Sequence, residues 1–335
     1  MDDNGATYLC DLLQGRAQNP PDADPPRGLP IYLIVLSGGI PGAMLRLGRG
    51  ATRLGRGVDN VIQLPESSIS RHHAALKADD DGHVRLVDLG STNGTYLNGE
   101  RVAPHTPILL RDGDRIRFGA AVVVKFARPD PCEEQFQREM FERTVRDALT
   151  GLYNRAFFLD QVGPLARRGA RRGLGTAALM LDVDHFKRVN DGFGHDVGDA
   201  VLREVADVLR HSTRAEDLVA RYGGEEFVVA LPIGDADQAT GRADRIRRDL
   251  AARRIVAEGH QIRVTASIGL AFFPADRPVA GVEMISAADV ALYRAKAGGR
   301  DRVVGLAETP DPKAPAATSV DLDVDWRGFR LPSGL

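Results

Sequence analysis

Arg221-Tyr222-Gly223-Gly224-Glu225-Glu226-Phe227-Val228-Val229 is the stretch around which the chain is organised. Strand-formers from Asp217 to Tyr222 run into two glycines, and a second apolar run follows from Phe227 to Leu231. Strand, Gly-Gly, strand predicts a hairpin, because glycine accepts the positive φ of a tight turn. A plain hairpin has no need of two carboxylates, Glu225 and Glu226, directly after the turn. Glycine also removes side-chain bulk, so a phosphate or a planar base has room against the backbone.

Outward from the hairpin, the pattern alternates between strands and helices. Thr176 to Asp184 is an apolar run ending in two acids. A buried strand that delivers carboxylates at its C-terminal end is the usual address of a site in an α/β sheet. A period of two puts Asp182 and Asp184 on one face. His185 to Asp191 follow, then the loop Gly192 to His195, and Asp199 near the start of a helix over Ala200–Arg210. Beyond the hairpin come a basic amphipathic helix (Ala236–Ala251), a strand (Ile262–Ala271) and a last helix ending at Lys296-Ala297-Gly298-Gly299-Arg300. Residues 148–306 therefore read as an α/β domain. Asp182 and Glu225, from neighbouring strands, suit a hard cation such as Mg²⁺. Lys187, Lys296 and Arg300 suit a triphosphate, and Asn190 with Asp199 suit a guanine edge. Singly, each residue has an ordinary reading as a turn cap, a solvated helix face or a loop. Together they describe a nucleotidyl-transfer site.

The motifs in order are Asp-x-x-Thr-Gly-Leu-x-Asn-Arg from Asp147, Asp-x-Asp-x-Phe-Lys-x-x-Asn-Asp-x-x-Gly-His-x-x-Gly-Asp from Asp182, Arg-Tyr-Gly-Gly-Glu-Glu-Phe, and Ala-Lys-x-x-Gly-Arg. This set closely resembles the GGDEF domain of diguanylate cyclases, with Glu in place of the first acid of the name. The resemblance implies a palm-like sheet similar to adenylyl cyclases and polymerases. It further implies a homodimer that condenses two GTP into cyclic di-GMP with loss of pyrophosphate. Carried over, Asp182, the Val183 carbonyl and Glu225 hold Mg²⁺ (or Mn²⁺). Glu225 also helps deprotonate the 3′-hydroxyl, and Lys187 steadies the transition state. Phe186, Asn190, Asp199, Gly223 and Gly224 hold GTP, while Lys296 and Arg300 take its phosphates. His195 supports the loop, and Glu226 stands behind the metal ligands. Arg214-Ala215-Glu216-Asp217, just ahead of the hairpin, resembles the family's inhibitory site for product. Arg245 matches the second arginine of that site.

Residues 29–128 read differently, as short β-rich runs separated by Gly, Asp and Asn, which argues an all-β sandwich. Its polar residues cluster in the connections Leu54-Gly55-Arg56, Ser68-Ile69-Ser70-Arg71-His72-His73 and Gly90-Ser91-Thr92-Asn93-Gly94-Thr95. Two arginines, small hydroxyls and an Asn at one end of a sandwich make a phosphate cradle. In that order the three loops resemble the forkhead-associated (FHA) domain, a phosphothreonine-peptide reader. The resemblance gives Arg56, Ser70 and Arg71 the phosphate, Thr92 and Asn93 the loop and peptide backbone, and His73 a bracing role.

Between the halves, residues 129–147 predict a linker helix over about Cys132–Ala148, opened by Pro129-Asp130-Pro131 and Glu133-Glu134. Phe136, Met140 and Thr144, with Phe141, Val145 and Leu149 alongside, form an apolar stripe that needs a cover. The helix either lies on one of its own domains or pairs with a second copy in a short coiled coil, and pairing is favoured because the chemistry needs two chains. Residues 1–28 and 307–335 read as disordered tails, the latter with an acidic-apolar docking peptide at Asp321–Trp326. The 335 residues are 43% hydrophobic and 27% charged with a net charge of −2. That balance gives no support for a nucleic-acid surface. With no signal pattern, no membrane-length apolar run and two distant cysteines, the expectation is a cytoplasmic protein. The rival readings are a catalytically inactive cyclic di-GMP receptor and a phosphopeptide-docking scaffold. Intact Asp182, Glu225 and Lys187 speak against the first.

Overall fold

The computed structural model describes residues 30–306 apart from 49, 58, 65, 80, 278 and 279. The two expected tails and the Asp321–Trp326 peptide lie outside the described residues. The chain divides into two compact units, Met1–Gln161 and Val162–Leu335.

The first unit opens with β1 (Tyr32–Ser37), β2 (Met44–Arg46), β3 (Gly50–Gly55), β4 (Ile62–Gln63), β5 (Ala74–Ala78) and β6 (Val84–Asp88). It continues with β7 (Thr95–Leu97), β8 (Glu100–Arg101), β9 (Ile108–Leu109), β10 (Arg115–Phe118) and β11 (Val122–Ala127). They form a six-stranded sheet, β2-β1-β11-β10-β7-β8, and a five-stranded sheet, β4-β3-β5-β6-β9. Alternation decides which side chains enter the core: Ile116, Phe118, Val124 and Phe126 from one sheet, Leu54, Leu76 and Leu86 from the other, all fully buried. The β-rich architecture expected for the N-terminal half is the one observed.

Helix α1 (Pro131–Val145) follows, with Pro131 in its first turn and a capping box between Asp130 and Glu133. It ends at Val145, short of the predicted Ala148, where Arg146 turns extended. The Tyr32 hydroxyl donates to Glu134 Oε1 at 2.6 Å, and burial, then that carboxylate, push the Tyr32 pKa up to about 12. Phe141 and Val145 are buried, and the Phe141 ring lies against Gly42. Part of the stripe therefore finds its cover on the helix's own unit rather than on a second copy. Phe136, on another side of the helix, stays 56% exposed.

After β12 (Tyr153–Asn154) and α2 (Arg155–Arg171), the second unit contains β13 (Gly175–Val183), α3 (Phe186–Phe193), α4 (His195–Ser212), β14 (Leu218–Arg221) and β15 (Glu226–Ile233). Then come α5 (Ala236–Ala252), β16 (Ile255–Ala257), β17 (His260–Ile262), β18 (Ala266–Phe273), α6 (Gly281–Ala297) and β19 (Val303–Leu306). Strands of this unit run in the order β14-β15-β13-β18-β19. β13 is buried along its whole length and pairs antiparallel with both β15 and β18. Its continuous apolar run, a usual mark of parallel sheets, here belongs to a central antiparallel strand. Only β18 and β19 pair in parallel among these strands. Helix α6 lies so close on β18 that a Cβ at Gly269 would sit 2.1 Å from the Ala288 carbonyl oxygen. That approach carries the end of α6, with Lys296, to the end of β13. No helix among the described residues is long and apolar enough to cross a membrane.

Candidate functional site

Register places the two candidate metal ligands. Asp182 on β13 pairs with Glu226 on β15, so Glu225 stands just beyond the ladder. The Val183 N–H donates to the Glu225 carbonyl at 3.2 Å, which ties the turn to the end of the strand. The hairpin is the one expected, but for a different reason, since neither Gly223 nor Gly224 has a positive φ. Arg221 holds the turn instead, donating from Nε to the Gly223 carbonyl at 3.1 Å and from Nη2 to that of Gly224 at 2.7 Å. A Cβ at Gly223 would lie 2.7 Å from Glu226 Oε2, whereas one at Gly224 would meet nothing within 4 Å. The space outside Gly224 is open.

Burial raises the Asp182 pKa against the opposing Lys296 ammonium. The Glu225 pKa is likewise raised, by burial first and then by the Asp182 charge. Two carboxylates with raised pKa values, Asp182 by burial and Glu225 by burial and then the Asp182 charge, form with the strand-end backbone a hard-oxygen donor set. This set fits a divalent cation. Lys296, expected on phosphate, reaches Asp182 Oδ2 with Nζ at 2.7 Å. Arg300 is exposed on the turn after α6. Lys187 is exposed at the start of α3, while Phe186 beside it is buried.

Asn190 Oδ1 is buried and has no hydrogen-bond partner among the described residues. A Cβ at Gly198 would sit 1.9 Å from that oxygen, so this glycine is required for Asn190 to lie where it does. An unsatisfied buried acceptor calls for a donor, and the N–H groups of a guanine edge are donors. Asp199, next along α4, faces an open cavity of about 380 Å³ lined also by Asp196, Arg203, Val256 and Glu258. Asn190 does not line that cavity, but its Oδ1 lies against Gly198, the residue before Asp199. His195 is exposed at the start of α4.

The expected inhibitory residues divide into two kinds. Arg214 and Arg245 have side chains 66% and 72% exposed. The Asp217 side chain is 1% exposed, accepting from Arg242 Nη2 at 2.8 Å and from the Arg214 N–H at 2.6 Å. In this structure Asp217 braces the Arg214 turn. Arg242, the partner it needs, was not among the expected residues.

At the end of the sandwich the three loops meet. Thr92 N–H donates to Ser70 Oγ at 3.0 Å, and Asn93 Nδ2 donates to the Ser68 carbonyl at 2.8 Å. Arg56 and Arg71 are exposed, with the Arg56 N–H on the Ser70 carbonyl at 2.9 Å. His73 is fully buried, its Nδ1 3.2 Å from the Ser70 N–H and its Nε2 3.2 Å from the Gly94 carbonyl. Both bonds hold only in the neutral Nε2–H tautomer, and burial lowers the His73 pKa accordingly. This is the bracing role expected of it. Asp88, absent from the expected set, organises the third loop. It accepts from the Gly90 and Ser91 N–H groups and from the Ser91 and Thr95 hydroxyls.

Residues 144–302 match the family model described as "Diguanylate cyclase, GGDEF domain", and residues 52–119 match the FHA domain model. The chain is 44% identical over 170 residues to the response regulator PleD of Caulobacter vibrioides, covering 50% of this chain and 37% of PleD. It is 37% identical over 180 residues to diguanylate cyclase A of Treponema denticola, covering 52% and 48%. A solved structure of the coiled coil and GGDEF domain of DgcB from Caulobacter crescentus, in complex with c-di-GMP, matches 52% of this chain and 91% of that one at 30% identity, with a TM-score of 0.48. The chain spans less than half the length of these curated relatives. With both family models matched in order along one polypeptide, the chain carries an FHA domain followed by a GGDEF domain.

Proposed function

We propose that this chain is a cytoplasmic diguanylate cyclase that condenses two GTP into cyclic di-GMP under the control of a phosphopeptide-reading FHA module. The observation that carries the reading is the convergence of Asp182 and Glu225 at the end of a fully buried strand, with Lys296 alongside. Asp182, the Val183 carbonyl and Glu225 would hold Mg²⁺ or Mn²⁺, which supplies charge compensation for phosphate oxygens and polarises the attacking hydroxyl. Glu225, made more basic by burial and by Asp182, accepts the proton of a GTP 3′-hydroxyl. That oxygen bonds to the α-phosphorus of the second GTP as the bond to the β-phosphate breaks and pyrophosphate leaves. A second such closure completes the ring and needs two copies of the domain facing each other.

Lys187 offsets the charge that develops on the transferred phosphoryl group, and Arg300 with Lys296 holds the triphosphate. Phe186 and Asn190 receive the guanine, and Asp199 borders it. Gly223 and Gly224 leave the triphosphate room against the backbone. Product returning to Arg214 and Arg245 gives feedback inhibition, with Asp217 and Arg242 fixing the turn that presents Arg214. Arg56, Ser70, Arg71, Thr92 and Asn93 take a phosphothreonine peptide.

Incubating the purified chain with GTP and Mg²⁺, beside a Glu225→Gln copy, tests the proposal by mass spectrometry. The native chain is expected to make cyclic di-GMP and the variant none. Absence of product from the native chain and from Arg214→Ala, both stripped of bound nucleotide, would overturn it.

A further inference from the structure

Asp184 has no place in the chemistry above, yet it is 5% exposed and fully engaged. Its Oδ2 accepts from Thr265 Oγ1 at 2.7 Å and from the Asp301 N–H at 3.0 Å. Its Oδ1 accepts from Ser267 Oγ at 2.7 Å. The Asp184 N–H in turn donates to the Thr265 carbonyl at 2.9 Å. One carboxylate thus joins the end of β13, the start of β18 and the turn between α6 and β19.

That turn is strained. Arg300 and Asp301 are non-glycine residues at φ 61° and 42°, a left-handed region that side chains with a Cβ avoid. Such a conformation persists only where surrounding bonds over-determine it. The bonds here include the Arg300 N–H to the Ala295 carbonyl at 3.1 Å, Arg302 Nε to the Arg300 carbonyl at 3.0 Å, Arg247 Nη1 to Asp301 Oδ1 at 2.7 Å, and the Asp301 N–H to Asp184. Of these four, only the last reaches the end of the strand that carries Asp182. Lys296 neutralises Asp182 directly, so the two acids of the Asp-x-Asp pair divide the work. The first faces the cation, and the second fixes backbone.

We infer that Asp184 is a positioning residue of the nucleotide site: by pinning the Asp301 N–H it holds the Arg300 turn in the conformation that presents a guanidinium to the triphosphate beside Asp182. The inference rests on the reading of Arg300 as a phosphate ligand. A carboxylate suits the role because it accepts three bonds at once with no N–H to satisfy. An amide offers a single acceptor oxygen.

The test compares binding of a non-hydrolysable GTP analogue with binding of GMP by calorimetry, in the full chain with Mg²⁺. Asp184→Asn is expected to weaken the triphosphate analogue about tenfold while GMP stays within about twofold, with thermal unfolding little changed. Equal losses for both nucleotides, or no loss for either, would overturn the inference. Arg300→Ala serves as the control. If it too leaves the analogue unaffected, the assignment of Arg300 has failed, and the role of Asp184 fails with it. Should Asp184→Asn not fold, Ser267→Ala, which strips one donor from the carboxylate, reads the same ratio, and an unchanged ratio there would count against the inference.

Discussion

Lys296 occupies Asp182 Oδ2, the oxygen that the proposed function would offer to a divalent ion. The ammonium sits 2.7 Å from that oxygen, on a side chain long enough to swing toward phosphate once the oxygen is taken. A single positive charge beside two carboxylates compensates only part of the site, and Glu225 remains raised, by burial first and then by the Asp182 charge. Replacing Lys296 by Met removes the competitor but also a phosphate ligand. Lys296→Met is therefore expected to bind Mn²⁺ about tenfold more tightly without nucleotide, read by electron paramagnetic resonance, and to bind a GTP analogue more weakly. Weaker Mn²⁺ binding by the variant would show that Lys296 supports the cation rather than contests it. Residue-level roles of this kind are the least visible in sequence. Asp184 finds Ser267 83 positions away and Asp217 finds Arg242 25 positions away, and no local pattern announces either.

At the scale of elements, the sequence was most legible where periodicity and punctuation agree. β13 declares itself by an unbroken apolar run closed by acids, and the β14–β15 hairpin by two glycines between apolar runs. The reason offered for the glycines was incomplete, because room beside Glu226 and the Arg221 clamp, not positive φ, account for that turn. The β16–β17 hairpin escaped notice because its strands are three residues each, joined at Glu258-Gly259, too short to show a period. Helix α1 is the instructive case. An apolar stripe says that a face must be covered, not by what, and Phe141 is seated against Gly42 of its own unit. Phe141→Ala is accordingly expected to cost about 3–5 kcal/mol in denaturant unfolding of that unit, and Phe136→Ala less than about 0.5 kcal/mol. Equal costs at the two positions would contradict the seating described here.

For the whole molecule, the consequence is a division between reading and making. The arginines of the sandwich loops and the carboxylates of the second unit belong to separate cores, so damage to one chemistry should leave the other standing. Arg56→Ala is expected to abolish binding of a phosphothreonine peptide, followed by fluorescence anisotropy, while basal turnover of GTP stays within about twofold. Loss of basal turnover in that variant would mean that the FHA module is part of the catalytic assembly rather than its input. Under the proposed function, a ligand on the module would alter output only by preferring one arrangement of the paired chains over another. The resemblance to two families was legible along most of the chain for the same reason, since each family's motifs sit in loops that its own core positions.

The burial of β13 also sets a clock. Its amides are paired on both edges and shut from water along all nine residues, so they exchange only when the unit opens as a whole. Glu225 belongs to a turn outside the ladder, held by the Arg221 bonds and the Val183 N–H, so its amides can open without the sheet. The two sides of the proposed nucleotide site are thus expected to exchange on different timescales. In deuterium exchange, Leu179–Val183 are expected to stay dark for hours with or without a GTP analogue. Gly223–Glu225 are expected to slow only when it is bound.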